Sequence, residues 1–182
     1  METHYLTHLA GGYDRNLILE QLMDEFGHDV WSYAFFLTKQ RQTADDIAQD
    51  VFLAAYESLY RYRGEGTVRG WLLTITRNRC YSFYKSSYKR KTVLARNVEP
   101  MGSAPSPEAE VLFREEAKEV WLRVMELPVR FREVLILDYR YGLSVKEIAS
   151  VLNVTEGTVK SRSHRAKVKL SRMLAHGEER GR

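Results

Sequence analysis

Apolar residues along this chain recur every three to four positions, and no strand-like alternation of useful length interrupts them. From Leu17 to Leu37, Leu19, Leu22, Met23, Phe26, Val30, Tyr33, Ala34 and Leu37 keep that period, broken only softly by Gly27, and predict one or two helices. Thr43 then reads as an N-cap with Asp45 and Asp46 in the first turn, where the helix dipole favours carboxylates. Ile47, Val51, Phe52, Ala55 and Leu59 follow as an inward stripe. Val68, Trp71, Leu72, Ile75 and Phe83 predict a third helix from about Thr67 to Lys85, preceded by a loop with Gly64 and Gly66. The spacing of Trp71, Leu72 and Phe83 marks them as core. Phe113, Ala117, Val120, Trp121 and Val124 predict a helix ending near Leu127 and Pro128. Phe131, Val134, Leu135 and Tyr139 predict another, with Gly142 as its C-cap.

The pattern is sharpest from Ser144 to Leu174. Ser144 and Glu147 have capping-box spacing, Ile148, Ala149 and Leu152 share one face, and Asn153 tolerates the left-handed turn that stops the helix. Thr155 is an N-cap for a second, longer helix. Its Val159, Ala166, Leu170 and Met173 point inward, while Lys160, Arg162, Arg165, Lys167, Lys169 and Arg172 make it basic. This is the pattern of a helix-turn-helix, whose second helix enters the major groove. Gly157 weakens the first turn of that helix, a cost that a close backbone approach, such as a phosphate at the helix N-terminus, would explain.

Between Asn97 and Pro107 the helical period vanishes and three of the four prolines cluster, which reads as a linker between two domains, 1–96 and 108–182. The predicted fold class is all-α: two small helical domains, the second with a helix-turn-helix. At 182 residues, 44% hydrophobic and 29% charged, the chain has the composition of a globular protein. No apolar run approaches the length of a membrane span, and the N-terminus lacks the basic start and apolar stretch of a signal peptide, so a cytoplasmic protein without membrane insertion is expected. Cys80 is the single cysteine, which excludes an intrachain disulfide or a cysteine-based zinc site. His4 and His8 have the i, i+4 spacing of metal ligands but no companions, and are read as idle.

The formal charge of +4 hides a strong asymmetry. Residues 14–57 carry nine acids and three bases, whereas residues 61–96 carry ten bases and Glu65 alone. Interleaved with those bases are Tyr60, Tyr62, Trp71, Tyr81, Phe83, Tyr84 and Tyr88. Cations that follow a phosphate backbone, together with aromatic faces on which bases stack, are the chemistry of single-strand binding. Tyr60, Tyr62 and Tyr84 are the aromatics expected to be exposed.

Five stretches in this order resemble the extracytoplasmic-function (ECF) subgroup of bacterial sigma factors, the initiation subunits of RNA polymerase. They are TADDIAQDVFLAAYESL (Thr43–Leu59), YRGEGTVRGWLLTITRN (Tyr62–Asn78), the Pro-rich linker, LPVRFREVLILDYRYGLSVKEIA (Leu127–Ala149) and TEGTVKSRSHRAKVKL (Thr155–Leu170). The resemblance covers roughly Leu17 to Leu174. It implies that the first domain is sigma region 2, with Asp46, Gln49 and Asp50 docking on the β′ clamp helices of the polymerase core. It further implies that Tyr62, Arg63, Arg69, Arg77, Asn78 and Lys85 hold the melted minus-ten element, where an extruded base is stacked and hydrogen-bonded. The second domain corresponds to region 4, which reads the duplex minus-thirty-five element through Thr155, Thr158, Lys160, Ser161, Arg162, His164 and Arg165 and meets the β flap. Family membership also implies an anti-sigma partner and an extracytoplasmic stress or signal response.

No Gly-rich phosphate loop, HExxH, GxSxG or plausible Cys/His pair is present, so neither an enzyme nor a cofactor is expected. The alternative is a stand-alone helix-turn-helix regulator with a sensing N-terminal domain. Such a protein would account for Ser144–Leu174 but not for the basic, Tyr-rich stretch upstream, and most such regulators need dimer symmetry to read half-sites.

Overall fold

The computed structural model describes residues 14–59, 62, 66–93 and 118–180, which are helical with short turns and contain no strand. The linker 97–107, Tyr60, Arg63, Phe113, Ala117 and the histidine pair His4 and His8 lie outside the described residues. The chain divides into two compact units, Met1–Val93 and Leu94–Arg182.

In the first unit α1 (Arg15–Thr38), α2 (Arg41–Ser58) and α3 (Val68–Val93) each pack against the other two. Asp14 caps α1 by accepting from the Asn16 N–H at 2.9 Å, and the helix runs unbroken through Gly27. Residues 32–38 are buried on every side, so the C-terminal turns of α1 form the centre of the unit. The predicted stripe is corrected at its start: Ile18 is buried, Leu19 is half-buried and Met23 is 49% exposed. Lys39 ends α1 in the left-handed region (φ 58°), its N–H reaching the Phe35 carbonyl at 2.7 Å. That reversal lets α2 begin at Arg41, two residues before the expected cap. Thr43 is therefore a buried helical residue whose hydroxyl donates to Gln40 Oε1 at 2.9 Å, and no acid lies in the first turn. The inward stripe Ile47, Val51, Phe52, Ala55 and Leu59 is buried as expected.

In the second unit α4 (Lys118–Glu126) is followed by Pro128 and α5 (Val129–Leu135). Buried Arg132 fastens the two by donating to the Met125 carbonyl at 2.7 Å. The helix of α5 widens into a π turn over Ile136–Arg140. Tyr139 lies on the same side as Leu135, lining one groove with it, yet is 63% exposed rather than buried. Gly142 closes the turn at φ +65°. The helices α6 (Val145–Leu152) and α7 (Glu156–Arg180) then form the helix-turn-helix. Both halves of the capping box form: the Ser144 N–H donates to Glu147 at 2.8 Å, and the Glu147 N–H donates to Ser144 Oγ at 3.3 Å. Asn153 turns left-handed at φ 51°, and Thr155 Oγ1 accepts from the Thr158 N–H at 3.2 Å. Val159 and Ala166 are buried, whereas Leu170 and Met173 are only half-buried.

Candidate nucleic-acid and partner interfaces

The outward face of α2 is acidic. Asp46, Gln49 and Asp50 are all exposed, and so is Leu53, at 61%. Asp45 beside them is engaged by α1, accepting from Trp31 Nε1 at 2.6 Å. The inward stripe forces this arrangement, because residues at 46, 49, 50 and 53 recur on the helix side opposite Ile47, Val51 and Ala55.

On α3 the signs are reversed, and residues 68–86 contain no acid. The start of the helix is held at three points. Thr67 Oγ1 accepts from the Gly70 N–H at 3.1 Å, and Arg69 Nε donates to Asp29 Oδ2 on α1 at 3.0 Å. The third is Tyr62, whose ring lies 4.9 Å from that of Trp71 and whose hydroxyl donates to the Gly66 carbonyl at 3.1 Å. The expected pattern of exposed aromatics is thus corrected. Tyr62 is half-buried against Trp71, and Tyr84 is half-buried with its hydroxyl donating to the Leu37 carbonyl at 3.2 Å. Of the core assignments, Leu72 is buried while Trp71 and Phe83 are half-buried. Among the described side chains of α3, Tyr81 is exposed, with the Arg77 guanidinium 4.5 Å from its ring centroid. Asn78, Arg79 and Lys85 are exposed on the same stretch. The spacing Asn78, Tyr81, Lys85 was the signal in the sequence for this ring.

On α7, Lys160, Ser161, His164 and Arg165 are exposed within three turns of the N-terminus. The Thr155 and Thr158 hydroxyls share a hydrogen bond of 2.9 Å, and Ser161 Oγ donates to the Thr158 carbonyl at 3.0 Å. Arg162 is directed elsewhere: its guanidinium lies 3.8 Å from the carboxylate of Glu133 on α5, which is 1% exposed. A Cβ on Gly157 would meet only Thr155 Oγ1, at 3.9 Å, so nothing within the chain requires glycine there. Lys167 lies 5.2 Å from the Tyr139 ring centroid, and its hydrogen bond to Tyr139 is the main cause holding its pKa above the ordinary lysine value. Beside that pair an open apolar groove of about 440 Å³ is lined by Val120, Trp121, Val124, Leu135, Leu170 and Leu174.

Among the described residues, no group of three or more His, Cys, Asp or Glu side chains could hold a metal, and no helix is long and apolar enough to cross a membrane. The exposed chemistry is that of surfaces.

Comparison with known proteins agrees with both units. Residues 22–90 match Sigma-70 region 2 and residues 117–170 match Sigma-70, region 4. The chain is 31% identical over 169 residues to the ECF RNA polymerase sigma factor SigM of Mycobacterium tuberculosis, covering 93% of this chain and 82% of the relative. It is 29% identical over 167 residues to the RNA polymerase sigma factor YlaC of Bacillus subtilis, covering 90% and 96%. The fold is similar to that of RpoE of Bartonella quintana, solved with the anti-sigma factor NepR (TM-score 0.66, 23% identity, 86% of this chain and 96% of that one). It is likewise similar to CnrH, solved with the cytosolic domain of CnrY (TM-score 0.68, 24% identity, 96% and 97%). With a region 2 unit, a region 4 helix-turn-helix and full-length relatives of this kind, the chain belongs to the ECF family of RNA polymerase sigma factors.

Proposed function

We propose that this sigma factor carries core RNA polymerase to its promoters by a division of labour between faces of opposite charge. The observation that carries the reading is in the first unit, where an exposed acidic face on α2 and an acid-free, basic face on α3 stand on one helical core. One face cannot serve both a polyanion and a basic protein surface, so two faces serve two partners.

In this reading residues 1–96 act as region 2. Asp46, Gln49 and Asp50 dock on the β′ clamp helices, and Arg77, Asn78 and Lys85 follow the melted minus-ten strand. Tyr62 and Arg69 contribute by holding the loop and the first turn of α3. Residues 97–107 link to region 4, residues 108–182, where Lys160, Ser161, His164 and Arg165 face the minus-thirty-five duplex. Thr155 and Thr158 organise the helix start, and Arg162 braces α7 on α5. The apolar groove beside Tyr139 suits the β flap. The sigma factor contributes no catalytic group; the polymerase performs the chemistry. It works in the cytoplasm, in a signal response, and is held in reserve by an anti-sigma factor, a kind of partner with which RpoE of Bartonella quintana is solved.

In vitro transcription with purified core enzyme and a genomic fragment library tests the proposal. Transcripts starting at a shared promoter sequence, dependent on both core and this chain, are expected. A chain that binds duplex DNA but neither binds core nor directs transcription would overturn it and leave a stand-alone regulator.

A further inference from the structure

We propose that Asp29 on α1, acting through Arg69, is a positioning residue that sets the angle at which the basic face of α3 meets the opened promoter strand. The assignment rests on the reading that α3 follows that strand, and it gives a role to an acid of α1, a helix that otherwise only supplies core. Arg69 is the second residue of α3, and its Nε donates to Asp29 Oδ2 at 3.0 Å across forty residues of sequence. Its guanidinium also lies 5.8 Å from the centroid of the Phe26 ring, which is buried and stands about one turn before Asp29 on α1. The Arg69 side chain is thus laid along α1, over Phe26 and onto Asp29.

Two observations give this tie a consequence for function. Of the three contacts that hold the start of α3, the hydrogen bond of Thr67 to Gly70 and the packing of Tyr62 on Trp71 stay within residues 62–71, and only the Arg69 bond reaches another helix. Buried Val68 and Leu72 add apolar contact, but apolar burial is non-directional, whereas a charge-assisted N–H···O bond fixes an angle. A helix turns as one body, so a rotation of α3 released at Arg69 would carry the exposed Asn78 and Lys85 away from the strand. The second observation is that the pair is partly open, with side-chain exposures of 41% for Arg69 and 24% for Asp29. A strand approaching α3 therefore meets a neutralised pair, in which Asp29 cancels a cation that would otherwise attract phosphate. Electrostatics and positioning thus predict opposite signs for the loss of this acid.

The test uses the complex of the full chain with core polymerase and a promoter template carrying a pre-melted minus-ten bubble, and it reads retention of that template. Asp29→Asn is nearly isosteric and removes one negative charge, so attraction alone predicts tighter retention and lost positioning predicts weaker. Weaker retention by roughly two- to fivefold is expected, the range for a partly exposed ion pair. Core binding through α2 should not change, which separates the effect from a general loss of fold. Arg69→Gln should weaken retention as well, and the double variant should fall no further than Arg69→Gln alone, because both changes break one tie. The double variant should also keep the salt slope of the wild type. If it falls further and its slope drops by about 0.7 of a unit, the value for one phosphate of a single strand, Arg69 is a phosphate ligand and the proposal is overturned. Unchanged or tighter retention by Asp29→Asn would overturn it too. Asn78→Ala serves as the reference for the wider reading. If Asn78→Ala weakens retention while Asp29→Asn does not, the tie is wrong and α3 still follows the strand; if neither responds, both ideas fall.

Discussion

At the scale of single residues, the cap of α6 offers a measurable pH dependence. The Glu147 carboxyl is held below its ordinary pKa, first by the Ser144 hydroxyl and then by the Ser144 backbone N–H. A carboxylate whose pKa falls on folding stabilises the fold above its unfolded-state pKa and loses that contribution as pH drops through the folded value. Ser144→Ala should therefore cost about 1 kcal/mol at neutral pH. The cost should shrink on acidification without vanishing, since the Glu147 N–H still has Ser144 Oγ as acceptor in the wild type. Urea unfolding of both proteins at several pH values measures this; a pH-independent difference would exclude Glu147 from the cap energetics. Gly157 poses the opposite case. Nothing in the chain crowds it, so Gly157→Ala should raise stability by up to about 1 kcal/mol. If a phosphate approaches the backbone there, the same change weakens duplex binding on all sequences alike. A more stable variant with unaltered DNA affinity would remove the phosphate from this position.

At the scale of elements, the exposed bases of α7 separate by what they touch. Lys160→Ala and Arg165→Ala, if the side chains reach base edges, should each cost roughly 1–3 kcal/mol at a preferred site and little on random duplex. Lys169→Ala should weaken both duplexes equally and lower the magnitude of the salt slope by about one unit. Equal losses on the two duplexes for Arg165→Ala would show that it only positions the helix. Arg162→Ala should instead appear in the unfolding free energy, by roughly 1–3 kcal/mol, because it takes a cation away from the buried Glu133 carboxylate. Titration calorimetry and chemical unfolding of the same variants distinguish the two classes; full stability of Arg162→Ala would return that residue to the DNA surface. The distinction was not legible in the sequence, where Arg162 is one base among six on a basic helix. It depends on Glu133, twenty-nine residues away and brought close by the packing of α5 on α7. For the same reason Thr43, a good cap by composition, became a buried helical residue once the left-handed Lys39 set the start of α2.

At the scale of the whole molecule, the opposite charges of α2 and α3 predict separable defects. Asp50→Arg should weaken core binding while duplex recognition through α7 is retained, and the loss should grow as salt is lowered, because screening fades. Fluorescence-detected core titration at several salt concentrations checks it; unchanged affinity would take Asp50 out of the interface. The all-α class, the two-part organisation, the capping box, the left-handed Asn153 and the charge reversal between α2 and α3 were determined by the sequence itself. They rest on local causes: helical period, cap chemistry, turn conformation and the clustering of like charges along adjacent turns. What tertiary structure decided is the use of individual side chains within those elements. Whether Tyr62, Tyr81 or Tyr84 presents a ring to solvent depends on Trp71, Arg77 and Leu37. The exposure of Tyr139 depends on the groove it lines with Trp121, Leu135 and Lys167, which no periodicity announces. Such outcomes turn on contacts between particular residues, and a pattern of polar and apolar positions specifies a face but not the neighbour that will occupy it.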